Sequence, residues 1–179
     1  MEDAILIRRI KQGDESAFDA LVRQHYENIY VFCYRRCGDA ALAADLTQEV
    51  FLRLVTAVGH YSVTGKFTNY LLTIAVNVCN DHYRRKKPEN APLTESAAVS
   101  DGAEMQTLKN DSAENVRRAI ALLPDEQRDA VILRYWHDMK LRDIAAVTGV
   151  STATAKSRLR LGMEKLRRLL ESEGEGYGY

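Results

Sequence analysis

Punctuation is scarce in this chain. Three prolines and ten glycines among 179 residues leave too few turns for a many-stranded β protein. Long apolar runs are missing as well: none approaches the ~20 residues that a membrane-spanning helix needs. Met1 to Gln12 opens on acids and has no long apolar core, so no secretory signal is read there. Three cysteines cannot all pair, and the expectation is a cytoplasmic chain with reduced thiols. There is no glycine-rich phosphate loop, no nucleophile–base motif and no paired acid cluster, so neither enzymatic activity nor a cofactor is expected. Net charge is also absent, because 25 basic residues balance 25 acidic ones.

That balance conceals a pattern. Residues 140–168 carry 8 basic and 2 acidic side chains, and residues 66–87 carry 5 and 1. Residues 89–114 carry 1 basic and 6 acidic. Two local footprints for a polyanion are thus separated by a repelling strip. With 46% hydrophobic and 28% charged residues, the chain has the composition of a folded protein.

What is abundant is helical periodicity. A short amphipathic piece over 2–12 ends at Gly13, and Asp14 is placed to cap the next helix. Phe18, Leu21, Val22, Ile29, Phe32 and Cys33 then repeat at helical spacing as far as Gly38. A third helix runs from about Ala40 to Val58, with Leu42, Leu46, Val50, Leu54 and Val58 as its buried stripe, and Gly59 ends it. A loop, Gly59–Gly65, leads to a fourth helix from Lys66 to about Lys86. That helix closes on Arg84-Arg85-Lys86-Lys87, which suits the negative end of a helix dipole. Pro88 and Pro92 break the pattern. Helices return from Ser112 to Leu123 and again after Pro124. The expected architecture is all-α: a helical domain over 1–87, a flexible acidic linker over 88–111, a second helical domain over 112–171 and a frayed tail over 172–179.

The second domain holds the most telling stretch. Leu141, Ile144, Ala145 and Val147 form one short helix in which Ala145 lets another helix cross closely. Gly149 supplies a turn and Val150 plugs the gap. Ser151 then caps a helix whose buried stripe is Ala155, Leu159, Met163, Leu166 and Leu170. This order is that of a helix-turn-helix, whose second helix enters the major groove. The same run fits a helical hairpin with a solvated charged face, but the small residue, glycine turn, cap and basic second helix arriving in sequence favour DNA binding. Lys156, Ser157 and Arg160 are the candidates for base contacts. Thr152, Thr154 and Arg158 are candidates for phosphate contacts near a helix N-terminus.

Three further stretches complete the picture. Asp45-Leu46-Thr47-Gln48-Glu49-Val50-Phe51-Leu52-Arg53 resembles the polymerase-binding helix of bacterial sigma factors. Phe67 to Asn77, followed by Asp81-His82-Tyr83-Arg84-Arg85, resembles the promoter-opening helix that comes after it. Leu123-Pro124, Arg128, Leu133 and Tyr135, together with the helix-turn-helix, resemble the family's C-terminal domain. The resemblance covers roughly residues 5–170, and the two-domain size is similar to the extracytoplasmic-function group. The chain departs from the common pattern at Tyr70, at Ala155 and at Leu161-Gly162, where a glycine inside a helix costs up to ~1 kcal/mol relative to alanine.

The resemblance implies a sigma factor that directs promoter-specific transcription by core RNA polymerase. Asp45, Gln48, Glu49 and Leu52 share a face of the third helix, a solvated surface with one stray leucine or a docking face with an apolar anchor. The resemblance favours docking, counts Arg53 with them, and names the clamp coiled coil of the largest polymerase subunit as partner, with the flap region contacted as well. It places a flipped base of the minus-ten element at the loop, where His60, Tyr61, Ser62 and Asn77 are the candidate pocket. Tyr61 reads equally well as a core aromatic, and Phe67 reads as core. Lys66, Arg84, Arg85, Lys86 and Lys87 are phosphate candidates. The helix-turn-helix is assigned the minus-thirty-five element. The family's acidic linker lies toward the RNA path, and an anti-sigma partner, often membrane-anchored, is also implied; no membrane insertion of this chain is.

Two rival readings follow from the residues. One is a free-standing helix-turn-helix regulator, which leaves the third helix unexplained. The other is a metal or redox site from Cys33, Cys37, Cys79 and His82, which requires their two helices to meet; cysteines on apolar stripes are more often plain core.

Overall fold

The computed structural model describes residues 2–62, 65–86 and 111–174, and every regular element among them is helical. The chain divides into two compact units, Met1–Tyr34 with Ala40–Lys87, and Arg35–Asp39 with Pro88–Tyr179. The acidic stretch 88–110, Lys87 and the last five residues lie outside the described residues.

In the first unit, helix α1 (Glu2–Lys11) buries Leu6 and Ile7. Gly13 turns the chain at φ +86°. Asp14 then caps α2 (Glu15–Cys37), accepting the Ala17 N–H at 3.3 Å and the Arg9 Nε at 2.9 Å. Helix α3 (Ala40–Ala57) buries Leu46, Val50 and Leu54 as the stripe predicts, and also Ala43, Thr47 and Phe51. The Thr47 hydroxyl is satisfied by the Ala43 carbonyl at 2.7 Å, so a polar group sits in the core without penalty. A short 3-10 turn, Val58–His60, follows. Lys11 Nζ donates to the Tyr61 carbonyl at 2.7 Å and ties α1 to this loop.

Helix α4 (Phe67–Lys86) is buried over a wide arc. Leu72, Val76 and Cys79 are buried with Phe67, Leu71, Ala75 and Val78, whereas Ile74 and His82 are half-buried. The reason is that α4 has neighbours on more than one side: α3 packs along it, and His25 of α2 meets the Phe67 ring at 5.3 Å. Full burial of each such aliphatic or aromatic side chain stabilises by about 1.5–3 kcal/mol.

In the second unit, α5 (Asp111–Ala121), α6 (Asp125–Tyr135) and α7 (Leu141–Thr148) all pack on α8 (Thr152–Gly174). Ala119, Ile120, Leu123, Val131 and Leu166 form the core, with Leu159, Met163 and Leu170 of the α8 stripe half-buried against it. Helix α8 continues to Gly174, three residues into the stretch that the sequence reads as a frayed tail. The α5–α6 turn leaves carbonyls without helical partners. Arg128 satisfies them: its Nε donates to Ile120 at 3.1 Å and its Nη2 to Leu123 at 2.9 Å.

The departure at Gly162 has a steric cause. A Cβ there would lie 3.0 Å from Val131 Cγ2 and 3.2 Å from the Gln127 carbonyl oxygen. The glycine lets α8 lie against the backbone of α6.

Candidate functional site

The helix-turn-helix is built by local rules. Gly149 ends α7 in the left-handed region at φ +68°. Its N–H donates to Ala146 at 3.4 Å, and the Val150 N–H donates back to Ala145 at 3.0 Å. This pair of bonds is the Schellman closure. Ser151 caps α8, its Oγ accepting the Thr154 N–H at 3.1 Å. Ala155 is buried at the crossing with α7, so the residues around it point away from the core.

Thr152, Thr154, Lys156, Ser157 and Arg160 are all exposed on α8. Arg158 is different. It is half-buried and its Nη2 lies 3.3 Å from Glu126 Oε1 on α6. Arg160 also holds an acid, donating from Nη1 to Glu164 Oε1 at 2.7 Å. Both guanidiniums are thus paired with carboxylates in the free protein.

On α3, the five predicted docking residues separate into two groups. Asp45, Gln48 and Leu52 are exposed, Leu52 to 63%. Glu49 and Arg53 are half-buried and belong to a brace. Arg53 Nε donates to Glu49 at 2.8 Å and its Nη1 to Asp81 of α4 at 2.9 Å, while Arg84 donates to the other Asp81 oxygen at 3.0 Å. Glu49, then Asp81, raises the Arg53 pKa, and the Arg53 guanidinium holds the Asp81 carboxyl below its usual range. Sequence reading missed Val55, which is 53% exposed. Asp45, Gln48, Leu52 and Val55 follow helical i, i+3, i+7, i+10 spacing, so one stripe carries two polar and two apolar exposed residues. The spacing from Leu52 to Val55 was the available signal.

At the loop, His60 and Ser62 are exposed and Tyr61 is buried. The Tyr61 ring stands edge-on to Phe67 at 5.4 Å and tilted on Tyr70 at 4.5 Å. Burial, with the nearby Asp3 charge, pushes its hydroxyl pKa up. Lys66 is exposed beside it. Asn77 is exposed on α4 ten residues after Phe67, about 15 Å along the helix. It lies seven residues, two helical turns, beyond Tyr70, on which the Tyr61 ring packs. Arg84, Arg85 and Lys86 form an exposed basic end to α4; Lys87 falls outside the described residues.

Cys33 and Cys79 are both fully buried, and Cys37 donates its thiol to the Asp39 carbonyl at 3.3 Å. Among the described residues no group of three or more His, Cys, Asp or Glu side chains is disposed to hold a metal ion, and no helix is long and apolar enough to cross a membrane.

Comparison with known proteins bears on both units. Residues 21–89 match the model of sigma-70 region 2, and residues 113–166 match that of sigma-70 region 4. The ECF RNA polymerase sigma factor SigW of Bacillus subtilis is 30% identical over 176 residues, covering 92% of this chain and 94% of that protein. The ECF RNA polymerase sigma factor SigM of Mycobacterium tuberculosis (strain ATCC 25618 / H37Rv) is 32% identical over 169 residues, covering 94% of this chain and 84% of that one. Among solved structures, CnrH in complex with the cytosolic domain of CnrY matches with a TM-score of 0.71 at 22% identity, covering 96% of this chain and 99% of that chain. This last likeness concerns the fold.

Proposed function

The chain belongs to the extracytoplasmic-function sigma factors of RNA polymerase, and from that membership we propose how its residues divide the work. It binds core polymerase and directs promoter-specific initiation of transcription. The observation that carries this reading is the joint presence of both sigma regions, in order, over most of the chain.

The exposed α3 stripe is the polymerase-docking face, with Leu52 and Val55 as apolar anchors inside a rim of Asp45 and Gln48. Its partner is the clamp coiled coil of the largest subunit. Glu49 and Arg53 support this face by fixing α3 on α4. The second unit contacts the flap region and reads the minus-thirty-five element. Lys156, Ser157 and Arg160 face base edges there; Thr152, Thr154 and Arg158 face phosphates. The first unit opens the minus-ten element. His60, Tyr61 and Ser62 receive bases that leave the stack, Asn77 contacts the strand farther along α4, and Lys66, Arg84, Arg85, Lys86 and Lys87 hold its backbone. The protein works in the cytoplasm beside polymerase, performs no chemistry of its own, and is restrained by an anti-sigma partner that covers surfaces needed for polymerase.

Reconstitution tests the reading. Purified protein is added to bacterial core polymerase and a promoter library, and run-off transcripts are sequenced. Transcripts from a shared two-element promoter, absent without the protein, are expected. Absence of both transcripts and co-elution with core overturns it in favour of a free-standing regulator.

A further inference from the structure

The face of α8 that carries Lys156, Ser157 and Arg160 also carries an acid. Glu164 stands one turn beyond Arg160 and two beyond Lys156, in line with three side chains proposed to face base edges. A bare carboxylate there would be repelled by the phosphates of a duplex. The structure covers it. Arg160 Nη1 donates to Glu164 Oε1 at 2.7 Å, the short distance of a charge-assisted bond. The second carboxylate oxygen lies 3.9 Å from Arg168 Nη2, one turn farther on.

The side chains of Arg160 and Glu164 are 60% and 38% exposed, and a solvated pair of this kind stabilises a helix only slightly. The order of the charges weakens that support further. An acid four residues before a base supports a helix better than the reverse, and here the base comes first. The pair is a poor support for α8 but a good clamp on a guanidinium. Arg160 makes no other hydrogen bond or ion pair among the described residues. A guanidinium holds its N–H donors in a fixed fork, and Glu164 engages only one of its nitrogens. The edge made by Nε and Nη2 therefore keeps two parallel donors. They match O6 and N7, the pair of acceptors that guanine alone presents in the major groove. The clamp also favours a base over a phosphate: an Arg160 that turned to a phosphate would leave Glu164 uncovered against the strand.

We propose that Glu164 is a positioning residue that holds Arg160 ready for guanine at one position of the minus-thirty-five element. This rests on the reading of α8 as the helix that enters the major groove, and adds to it the base read and the residue that fixes the reader. Glu164 itself touches no base. Its effect is to remove rotamer freedom from Arg160 before binding, so that less is lost when the base is met.

Core polymerase carrying the full chain is given a library randomised through the minus-thirty-five element, and run-off products are sequenced. The wild-type protein enriches guanine over the other bases at one position about tenfold. Arg160→Ala brings that ratio close to one and leaves the other positions unchanged. Glu164→Gln keeps the side-chain length and an acceptor but loses the charge, and lowers the ratio about threefold at the same position only. The double variant is no worse than Arg160→Ala alone, because the two residues act as one unit. Thermal unfolding is measured alongside, and Glu164→Ala takes the place of the glutamine variant if that one fails to fold. An unchanged ratio in a folded Glu164 variant overturns the proposal. So does an equal loss of yield on every sequence, which would leave Glu164 only the task of supporting α8. A preference that survives Arg160→Ala but disappears with Glu164→Gln would mean that the carboxylate accepts from the amine of the paired cytosine, and overturns the positioning role. Loss on every sequence with Arg160→Ala, together with a salt slope shallower by ~0.9, would assign Arg160 to a phosphate and overturn it as well. If even the wild-type protein yields no dependent transcript, the sigma reading itself fails and this proposal falls with it.

Discussion

His137 sits in the turn after α6, and burial alone pushes its imidazole down to about 4 from an ordinary 6.5. The folded state therefore keeps the ring neutral where the unfolded chain protonates it. Stability from this residue is complete above pH 6.5 and is lost as pH falls toward 4, by up to roughly 3 kcal/mol. Urea unfolding of the wild-type protein between pH 7 and 5 is expected to show that fall, and His137→Gln is expected to flatten it. Gly162 is the second residue whose role is decided by its surroundings. On propensity alone, Gly162→Ala should stabilise α8 by up to ~1 kcal/mol. The Gln127 carbonyl, 3.2 Å from the added carbon, is backbone and yields little. We expect thermal melts to show no gain for the alanine variant and a clear loss, of the ~1–3 kcal/mol typical of overpacking, for Gly162→Val. Neither effect was legible in the sequence. It showed a glycine breaking a helix pattern and an ordinary histidine, and each took its meaning from a neighbour on another element or from burial.

Elements were legible where their signals are local. Gly149 and Ser151 act within five residues of themselves, so the turn between α7 and α8 was readable to the residue. Helix α3 was readable as a helix, but not the division of its surface into an exposed stripe and a brace. The resemblance counts Glu49 and Arg53 with the docking residues. Asp81, twenty-eight residues away, draws Arg53 against α4 and leaves Val55 to share the open face with Leu52. Two substitutions separate these roles. Leu52→Glu or Val55→Glu is expected to lower affinity for core polymerase by tenfold or more, with unfolding unchanged, because exposed sites rarely shift stability beyond ~0.5 kcal/mol. Arg53→Ala is expected to lower stability, since it removes the Arg53 bond from the half-buried Asp81. Pull-down on core polymerase and denaturant melts on the same samples distinguish the outcomes.

At the scale of the whole molecule, zero net charge is the governing fact. A chain whose two basic patches are offset by an equal load of acid has little long-range attraction for a polyanion. The free protein is expected to bind promoter duplex weakly, with a shallow dependence on salt. The polymerase-bound protein is expected to bind tightly, with a steep one, as measured by fluorescence anisotropy across a salt series. Tight, sequence-selective binding by the free protein would contradict this. The two-unit, all-helical plan was legible because it rests on periodicity and on two long motifs. The tie from Lys11 to the Tyr61 carbonyl was not, because it exists only once residues 11 and 61 meet.

Helix α8 runs unbroken for 23 residues, about 35 Å, from its cap to Gly174. Its first turns present the exposed side chains proposed to face DNA, and its later turns carry Leu166 and the rest of the core stripe. Reader and foundation are one rigid rod. A lineage of such proteins that repacks this core will tilt the rod, and so change which promoters it favours without altering a single residue that touches DNA. New regulatory targets can arise here from mutations that look, by position, like matters of stability alone.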